Sequence, residues 1–182
     1  MAEYDLVIRG GTVFDGTGGP PVHADIGIRN GKFEQWQGRS IRSYADDLAK
    51  ATGWPLEVAL NKARKQFAEL LPVGMGTDKT WILLVVDEAG LEVGALWVGP
   101  NSEHAGVAFV YDIEIMQERR GLGFGRAAMI AVESLVKEPG ETEIWLNVFG
   151  FNEPARRLHD SLGYRVVATV MTKTIQSPLP GQ

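Results

Sequence analysis

A glycine-rich stretch at residues 118–129, ERRGLGFGRAAM, is the feature that most narrows the folds open to this sequence. Three glycines stand at alternate positions, with arginines on both sides. The residues before the stretch alternate in a way that predicts a strand, and the alanine-rich residues after it predict a helix. Glycines let consecutive N–H groups point into one concavity, and a helix N-terminus adds a partial positive charge. The sequence therefore predicts a β–α turn whose backbone can cradle a pyrophosphate.

The spacing of the glycines separates this stretch from two other phosphate motifs. A dinucleotide fingerprint would need a third glycine where Arg126 stands, and a P-loop would need a lysine followed by serine or threonine. The stretch instead has the form R-x-x-G-x-G from Arg120 to Gly125. A plain glycine-rich turn with solvated arginines is the alternative interpretation, and the motif alone does not decide between the two.

Hydrophobic patterning predicts an α+β domain built on one mixed sheet. Two amphipathic helices are expected at 33–52 and 55–71, and a strand hairpin follows them. The long segment at 106–116 alternates, which predicts one strand face formed by Val107, Phe109, Tyr111, Ile113 and Ile115, and an opposite face formed by Val110, Asp112 and Glu114. The sequence after the glycine stretch predicts a helix to about Lys137, a strand at 143–149, a helix at 152–163 and a last strand at 164–175.

Composition excludes several classes of protein. The formal net charge of −5 argues against a nucleic-acid-binding surface, and the absence of cysteine excludes disulfides, thiolate metal sites and cysteine nucleophiles. The longest apolar run, WILLVV, is too short to span a bilayer, and the N-terminus lacks the features of a signal peptide. We therefore expect a cytoplasmic protein that binds neither nucleic acid nor membrane.

A second segment, LNVFGFNEPARRLHDSLGY at 146–164, combines with the glycine stretch into a family signature. The two segments resemble the GCN5-related N-acetyltransferases (GNAT), and residues 44–83 are similar to the front half of one bacterial branch of that family. The resemblance spans about residues 25–175. It implies a GNAT-like fold, with a mixed, mostly antiparallel central sheet flanked by helices. It also implies acetyl-CoA as cosubstrate, which a small-molecule or protein amine attacks directly in a ternary complex.

The resemblance also implies which residues bind acetyl-CoA. The loop that holds the pyrophosphate by its backbone corresponds to Arg120, Gly121, Leu122, Gly123, Phe124, Gly125 and Arg126. The strand that pairs with the pantetheine arm corresponds to Ile113 and Ile115, and a backbone N–H near Ile115 polarises the thioester carbonyl. Asn152 and Asn147 match positions that contact the pantetheine arm. Their alternative roles are a helix N-cap for Asn152 and a hydrogen bond at a strand end for Asn147.

Three residues are candidates for acid and base catalysis. A protonated amine cannot attack, so a base is useful, and Glu114 and Asp112 lie on one strand face beside the expected thioester site. Glu114 is the preferred base, and acids on a partly wet or arginine-paired face are the alternative. The family often has a tyrosine that protonates the leaving thiolate, whereas this sequence has His159 there, after Leu158. An inward histidine without a chemical role is equally compatible with the pattern.

Residues 3–33 resemble a different family, the amidohydrolases of the N-acyl-D-amino-acid deacylase type. The metal ligands of that family are missing, because His23, His104 and His159 show no ligand spacing, so no metal site is expected. The chain therefore resembles a natural or engineered fusion. Its expected parts are an appended β-hairpin at 1–22, an acetyltransferase domain at 23–176 and a flexible tail at 177–182. A non-catalytic or poorly active acyl-CoA-binding domain is the alternative function. Because an isolated hairpin is marginally stable, residues 1–22 are expected to pack on the domain, to be disordered, or to pair with a partner chain as in a homodimer.

Overall fold

The fold is a six-stranded sheet with helices packed on it, seen here in a computed structural model. The structure describes the backbone of residues 6–13, 22–28, 33–137 and 141–173, and side chains from residue 33 onward within those ranges. The strands are β1 (Leu6–Val13), β2 (Val22–Ile28), β3 (Trp81–Val86), β4 (Glu92–Pro100), β5 (Val107–Ile115) and β6 (Glu143–Leu146). The helices are α1 (Phe33–Thr52), α2 (Leu56–Leu70), α3 (Phe124–Lys137) and α4 (Glu153–Ser161).

The strands lie in chain order across the sheet. Each pair from β1 to β5 is antiparallel, and β5 and β6 are parallel, so the sheet is mixed and mostly antiparallel, as predicted. The N-terminal strands β1 and β2 pair with each other, and β2 also pairs with β3. The residues that connect β1 to β2 and the expected flexible tail at 177–182 lie outside the described residues.

Each face of the sheet carries its own hydrophobic core. On one face, α3 packs Ala128, Met129 and Val132 against fully buried strand residues such as Leu83 and Leu96. On the other face, three aromatic rings contact Trp97, and they come from Trp36 of α1, Phe67 of α2 and Tyr111 of β5. A strand with helices on both faces is apolar on both faces. This explains why β4 is almost continuously buried from Val93 to Gly99.

A β-bulge in β5 contradicts the predicted alternation of that strand. Val110 lies opposite Val98, whereas the next pair along the strands is Asp112 with Trp97, so Tyr111 is the extra residue. Because of this extra residue, the side chains after the bulge lie on the opposite faces of the sheet from those that strict alternation would give. Val110 therefore shares the α3 face with Ile113, while Tyr111 packs on the α1 face.

The last predicted strand is absent from the described part of the chain. Residues 164–173 contain no strand in the structure, although YRVVATVMTK is rich in β-branched residues, and residues 174 and 175 lie outside the described ranges. A strand is defined by hydrogen bonding to a neighbour, and β-propensity supplies no neighbour. This segment is therefore a strand former without a partner in the single chain.

Candidate functional site

The glycine loop lies between β5 and α3, where the sequence predicted it. Gly121 and Gly123 have positive φ angles of 75° and 88°, a backbone conformation that residues with a Cβ atom rarely adopt. The hydrogen bonds of α3 begin at Ala127, whose N–H donates to the carbonyl oxygen of Gly123. The N–H groups of the three residues before Ala127 therefore have no acceptor within the helix. The loop thus presents a helix N-terminus that can bind an anion.

The arginines around the loop contact other parts of the protein. Arg120 donates from Nε to the carbonyl oxygen of Ile115 over 2.9 Å, and Arg126 donates to the hydroxyl of Ser161 on α4. Arg119 forms an ion pair with Asp87 at 3.6 Å. These contacts brace the loop against the end of β5, against α4 and against the β3–β4 turn. The backbone is consequently the part of the loop best placed to hold a ligand.

The two hydrophobic side chains of the loop differ in their surroundings. Phe124 is buried in the core on the α3 face, whereas Leu122 is half exposed. A Cβ added at Gly125 would lie 3.3 Å from the side chain of Leu158, so α4 packs closely against the start of α3. Phe124 therefore anchors the loop, and Gly125 permits the close approach of α4.

A gap opens between β5 and β6 beside this loop. β5 pairs with β4 as far as Ile115, but its pairing with β6 ends at Val110, next to the bulge. The backbone at 111–115 consequently has a free edge toward β6 within the described residues. Ile113 and Ile115 keep their side chains in the core, so the backbone is what this edge offers. An extended ligand arm can pair there as a strand would.

Glu114 lies in a cleft of about 380 Å³ between α1 and the ends of β4 and β5. The charged side chains of this cleft are Arg39, Arg42, Asp46, Glu92 and Glu114. Arg39 is paired with Glu92 at 3.3 Å, and Arg42 with Asp46 at 3.5 Å. Glu114 is exposed and has no ion-pair partner among the described residues. The cleft therefore offers one uncommitted carboxylate to a cationic or amine group.

Asp112 lies deeper than Glu114 and faces α1. It accepts a hydrogen bond from the hydroxyl of Ser40, a residue that is itself buried. Burial, together with the negative charge of nearby Glu114, raises the pKa of Asp112 to about 6, although the Ser40 hydrogen bond acts in the opposite direction. The structure thus separates the two predicted carboxylates into an exposed group and an enclosed one.

His159 is buried on α4 and contacts the ring of Tyr164, with 5.4 Å between the ring centroids. Its Nδ1 and the hydroxyl of Tyr164 are both buried without a hydrogen-bond partner among the described residues. Burial lowers the pKa of His159, and the carboxylate of Asp160 opposes that shift. His159 is therefore mainly neutral at pH 7. A buried polar atom without a partner is costly, so Nδ1 is suited to a water or a ligand.

The two predicted asparagines differ in their settings. Asn152 caps α4 by accepting a hydrogen bond from the N–H of Ala155 at 3.2 Å. This helix cap was one of the two roles that the sequence left open, and it is compatible with ligand binding. Asn147 directly follows β6 and is exposed. Asn147 therefore lies at the β6 side of the gap.

The residues of α1 were missed by sequence reasoning. Ser40, Arg39 and Arg42 belong to an amphipathic helix whose polar residues resemble an ordinary solvated face. Ser40 lies 72 positions from Asp112, and no local pattern connects the two residues. The available signal in the sequence was the spacing of Ser40, four residues from both Trp36 and Tyr44 on the apolar side of the helix.

The described residues show neither a metal-binding cluster nor a membrane-spanning helix. No group of three or more His, Cys, Asp or Glu residues there is arranged to hold a metal ion. No helix there has the length and apolar character needed to cross a membrane. The cytoplasmic location stays a prediction of the sequence.

Comparison with known proteins gives consistent matches. The Acetyltransferase (GNAT) family profile matches residues 48–164. YycN of Bacillus subtilis (strain 168), described as an uncharacterized N-acetyltransferase, is 30% identical over 146 residues, or 79% of this chain and 93% of YycN. The crystal structure of YycN has a TM-score of 0.75 at 27% identity and covers 82% of this chain and 96% of its own. A Pyrococcus furiosus structure described as a putative acetyl transferase shares the fold, with a TM-score of 0.59 at 24% identity over 78% and 95% of the two chains.

Proposed function

Because this chain belongs to the GNAT family and is an N-acetyltransferase that uses acetyl-CoA, we propose that it acetylates an amine bound in the cleft beside Glu114. The observation that carries this proposal is the position of Glu114. Its exposed carboxylate lies on the same strand end whose Ile115 carbonyl anchors the glycine loop through Arg120. The acceptor cleft and the anion-binding loop therefore meet at the end of β5.

We propose that acetyl-CoA lies along the gap between β5 and β6. The N–H groups at the start of α3 would hold the pyrophosphate, and the free edge at 111–115 would pair with the pantetheine arm. Two observations support this assignment. The glycines with positive φ carry no side chain over the loop, and the arginine side chains are held by hydrogen bonds to other parts of the protein, so the loop backbone stays accessible. Asn147 lies at the β6 side of this gap, Asn152 caps α4, which packs against the start of α3, and both asparagines are proposed to contact the arm. Bound acetyl-CoA supplies an activated acetyl group in its thioester.

The proposed reaction needs no covalent enzyme intermediate. The cationic amine first gives one proton to Glu114, which passes it to solvent, and the neutral nitrogen then attacks the thioester carbonyl carbon in a ternary complex. The attacking nitrogen loses a second proton to Glu114 as the carbon–sulfur bond breaks and releases a thiolate. Positioning and charge stabilisation supply most of the rate in such a reaction. Asp112 is proposed to tune the site through its electrostatic interaction with Glu114 rather than to contact the amine.

His159 is proposed to stabilise the leaving thiolate as a neutral hydrogen-bond donor. Its lowered pKa makes the imidazolium scarce at neutral pH. His159 is therefore better suited to donate a hydrogen bond from the neutral imidazole than to transfer a proton to the thiolate. The thiolate then takes its proton from solvent. Leu158, the neighbour of His159, contacts the loop at Gly125, which supports a position of α4 near the thioester.

The acceptor is proposed to be a cationic amine. The cleft is lined by three carboxylates and two guanidinium groups, and both guanidinium groups are already paired. A small-molecule amine fits a cleft of about 380 Å³, and the terminal amine of a protein side chain could also enter it. The identity of the acceptor is left to the assay.

A coupled assay tests the function. Acetyl-CoA is mixed with a panel of amines, and free CoA thiol is measured for the parent protein, Glu114→Gln and the control Glu103→Gln, which alters an exposed acid outside both the cleft and the glycine loop. We expect turnover with at least one amine, a loss of about 10²- to 10⁴-fold in Glu114→Gln, and no loss in the control. Acetyl-CoA binding without transfer to any amine would favour a non-catalytic acyl-CoA-binding domain.

We also propose that residues 1–22 are an appended segment of amidohydrolase type and that the acetyltransferase domain occupies 23–176. The pairing of β2 with β3 supports this boundary, because it makes β2 a strand of the same sheet as the strands of the acetyltransferase domain. The family match at 48–164 lies entirely within the proposed domain. The appended strand β1 would then be the outermost strand of the sheet.

A further inference from the structure

The segment that follows α4 exposes more apolar surface than its sequence predicts. Val166 and Val167 are 62% and 60% exposed, and Val170 and Met171 are 97% and 89% exposed. Four large apolar side chains within six residues are therefore at least 60% exposed, which is more than a typical protein surface leaves uncovered in one short segment. We call residues 165–173 the C-terminal segment.

Hydrogen bonds fix the point from which the C-terminal segment leaves the domain. The N–H of Tyr164 donates to the carbonyl of His159 over 3.0 Å, and the N–H of Gly163 donates to that of Asp160 over 3.1 Å. Gly163 has a φ of 88°, and Tyr164 packs into the core on the α3 face. The C-terminal segment therefore starts from a hydrogen-bonded turn, and within the described residues it forms no strand with its own sheet.

The sheet has a matching free edge at β6. Within the described residues β6 pairs only with β5, so its other side carries unpaired backbone groups. Both faces of β6 are partly covered, because Ile144 and Leu146 pack on the α3 core while Trp145 contacts His104 on the opposite face. A strand added there would need apolar residues on both faces. The C-terminal segment has them, with Val166 and Val170 on one face and Val167 and Met171 on the other.

The charges of the two elements are complementary. The C-terminal segment carries Arg165 and Lys173 and no acid, whereas Glu141 and Glu143 lie at the start of β6. One carboxylate oxygen of Glu141 is buried without a hydrogen-bond partner in the described part of the chain. Either direction of pairing would bring one of the two cations to that end of β6.

We propose that the C-terminal segment of each chain pairs with the β6 edge of a second copy, so that the protein is a strand-exchanged homodimer. Within the described residues, a single chain leaves the C-terminal segment and the outer edge of β6 unpaired, and two copies satisfy both in one closed, two-fold arrangement. The exchange would extend each six-stranded sheet by one strand from the partner. This assembly does not depend on which amine the enzyme acetylates.

Native mass spectrometry and light scattering of the full chain test the proposal. The parent protein is expected to be a dimer. The double substitution Val170→Asp with Met171→Asp places a charge on each face of the added strand and should raise the dimer dissociation constant by at least about thirtyfold. Both side chains are already exposed in the single chain, so the double variant should keep the circular dichroism spectrum of the parent. Val73→Asp, which alters another exposed valine, should stay dimeric.

Cysteine cross-linking identifies the paired elements, and the absence of native cysteine makes the result unambiguous. A chain carrying Glu143→Cys is mixed, after reversible dissociation, with a chain carrying Val167→Cys, Thr169→Cys or Met171→Cys. At least one mixture should form a disulfide between the two different chains. A monomeric parent, a dimer that persists in the double variant, or no cross-link between chains in any mixture would overturn the proposal.

Discussion

Ser40 on α1 donates its hydroxyl hydrogen to the carboxylate of Asp112 on β5, and this bond joins the helix to the strand directly after the bulge at Tyr111. The bulge brings Asp112 to the α1 face, where Ser40 is buried. Without the extra residue, the same carboxyl would lie on the opposite face with the α3 core. The bond therefore depends on the irregularity of the strand.

Asp112→Asn is expected to stabilise the protein at pH 8. Folding raises the pKa of Asp112 from 3.8 to about 6, so the folded state binds the proton more tightly than the unfolded state. The free energy of unfolding therefore falls as the pH rises from about 4 to 6, and this loss persists at higher pH. Asparagine cannot ionise and still accepts the Ser40 hydrogen bond, so the gain is at most about 3 kcal/mol at pH 8 and disappears near pH 4. Urea unfolding at both pH values measures it.

The control for Asp112→Asn is Asp78→Asn, which alters an exposed acid and should leave the pH dependence of stability unchanged. A second comparison is Ser40→Ala, which leaves the charged carboxylate without its donor and should destabilise the protein more at pH 8 than at pH 4. If Asp112→Asn were less stable than the parent at pH 8, Asp112 would not be an enclosed carboxylate.

Gly121→Val is expected to weaken acetyl-CoA binding more than it weakens folding. Acetyl-CoA should raise the melting temperature of the parent, because a ligand that binds only the folded state stabilises it. Gly53→Val is a matched control, since both glycines have a φ of 75° and open space around a Cβ, but Gly53 follows α1. The backbone strain is then similar in both variants. The acetyl-CoA shift should be lost only in Gly121→Val, and equal shifts in the two variants would contradict the assignment of the loop.

The sequence was sufficient for the glycine loop and for the helix cap at Asn152, because both depend on local backbone requirements. A positive φ needs glycine, and a helix start needs a side-chain acceptor. The bulge at Tyr111 could not be predicted in this way, because the extra residue is defined only against Val98 and Trp97 on the neighbouring strand. The two predicted faces of β5 were wrong from Asp112 onward for this reason.

The last strand was predicted from composition and is absent from the described single chain for a related reason. Val166, Val167 and Val170 favour extended backbone, yet a ladder also needs an edge within reach. The contact between Ser40 and Asp112 likewise joins distant parts of the chain. Local signals thus predicted the loop and the element types, and long-range pairing set the site geometry around Glu114.

Two truncations test the proposed boundary at residue 22. Deletion of residues 1–22 should leave the acetyl-CoA shift in melting temperature intact, because no residue of the loop or the cleft lies there. Deletion of residues 1–30 also removes β2, which pairs with β3 at Leu84 to Val86, so it should expose a sheet edge and lower the melting temperature. Identical behaviour of the two truncations would contradict the assignment of β2 to the acetyltransferase domain.

The final prediction concerns His159 and distinguishes a neutral hydrogen-bond donor from a proton donor. His159→Phe keeps a ring beside Tyr164 but removes both nitrogens, so turnover should fall about ten- to a hundredfold, the usual worth of a hydrogen bond to a charged group, while acetyl-CoA affinity is unchanged. His159→Gln, which keeps an uncharged N–H donor, and His159→Tyr, which supplies a phenol, should retain more of the rate.

The pH dependence of the same variants completes the test. A proton-donating imidazolium would make the parent rate fall as the pH rises through the lowered pKa of His159, whereas a neutral donor gives no such fall above pH 7. Stability gives an independent reading: the unfolded chain binds a proton near pH 6.5 and the folded chain only at lower pH, so the parent loses stability as the pH falls below about 6.5. His159→Phe should lose less stability over that interval. If His159→Phe matches the parent in turnover while showing this change in stability, His159 is a packed residue and the thiolate departs unaided.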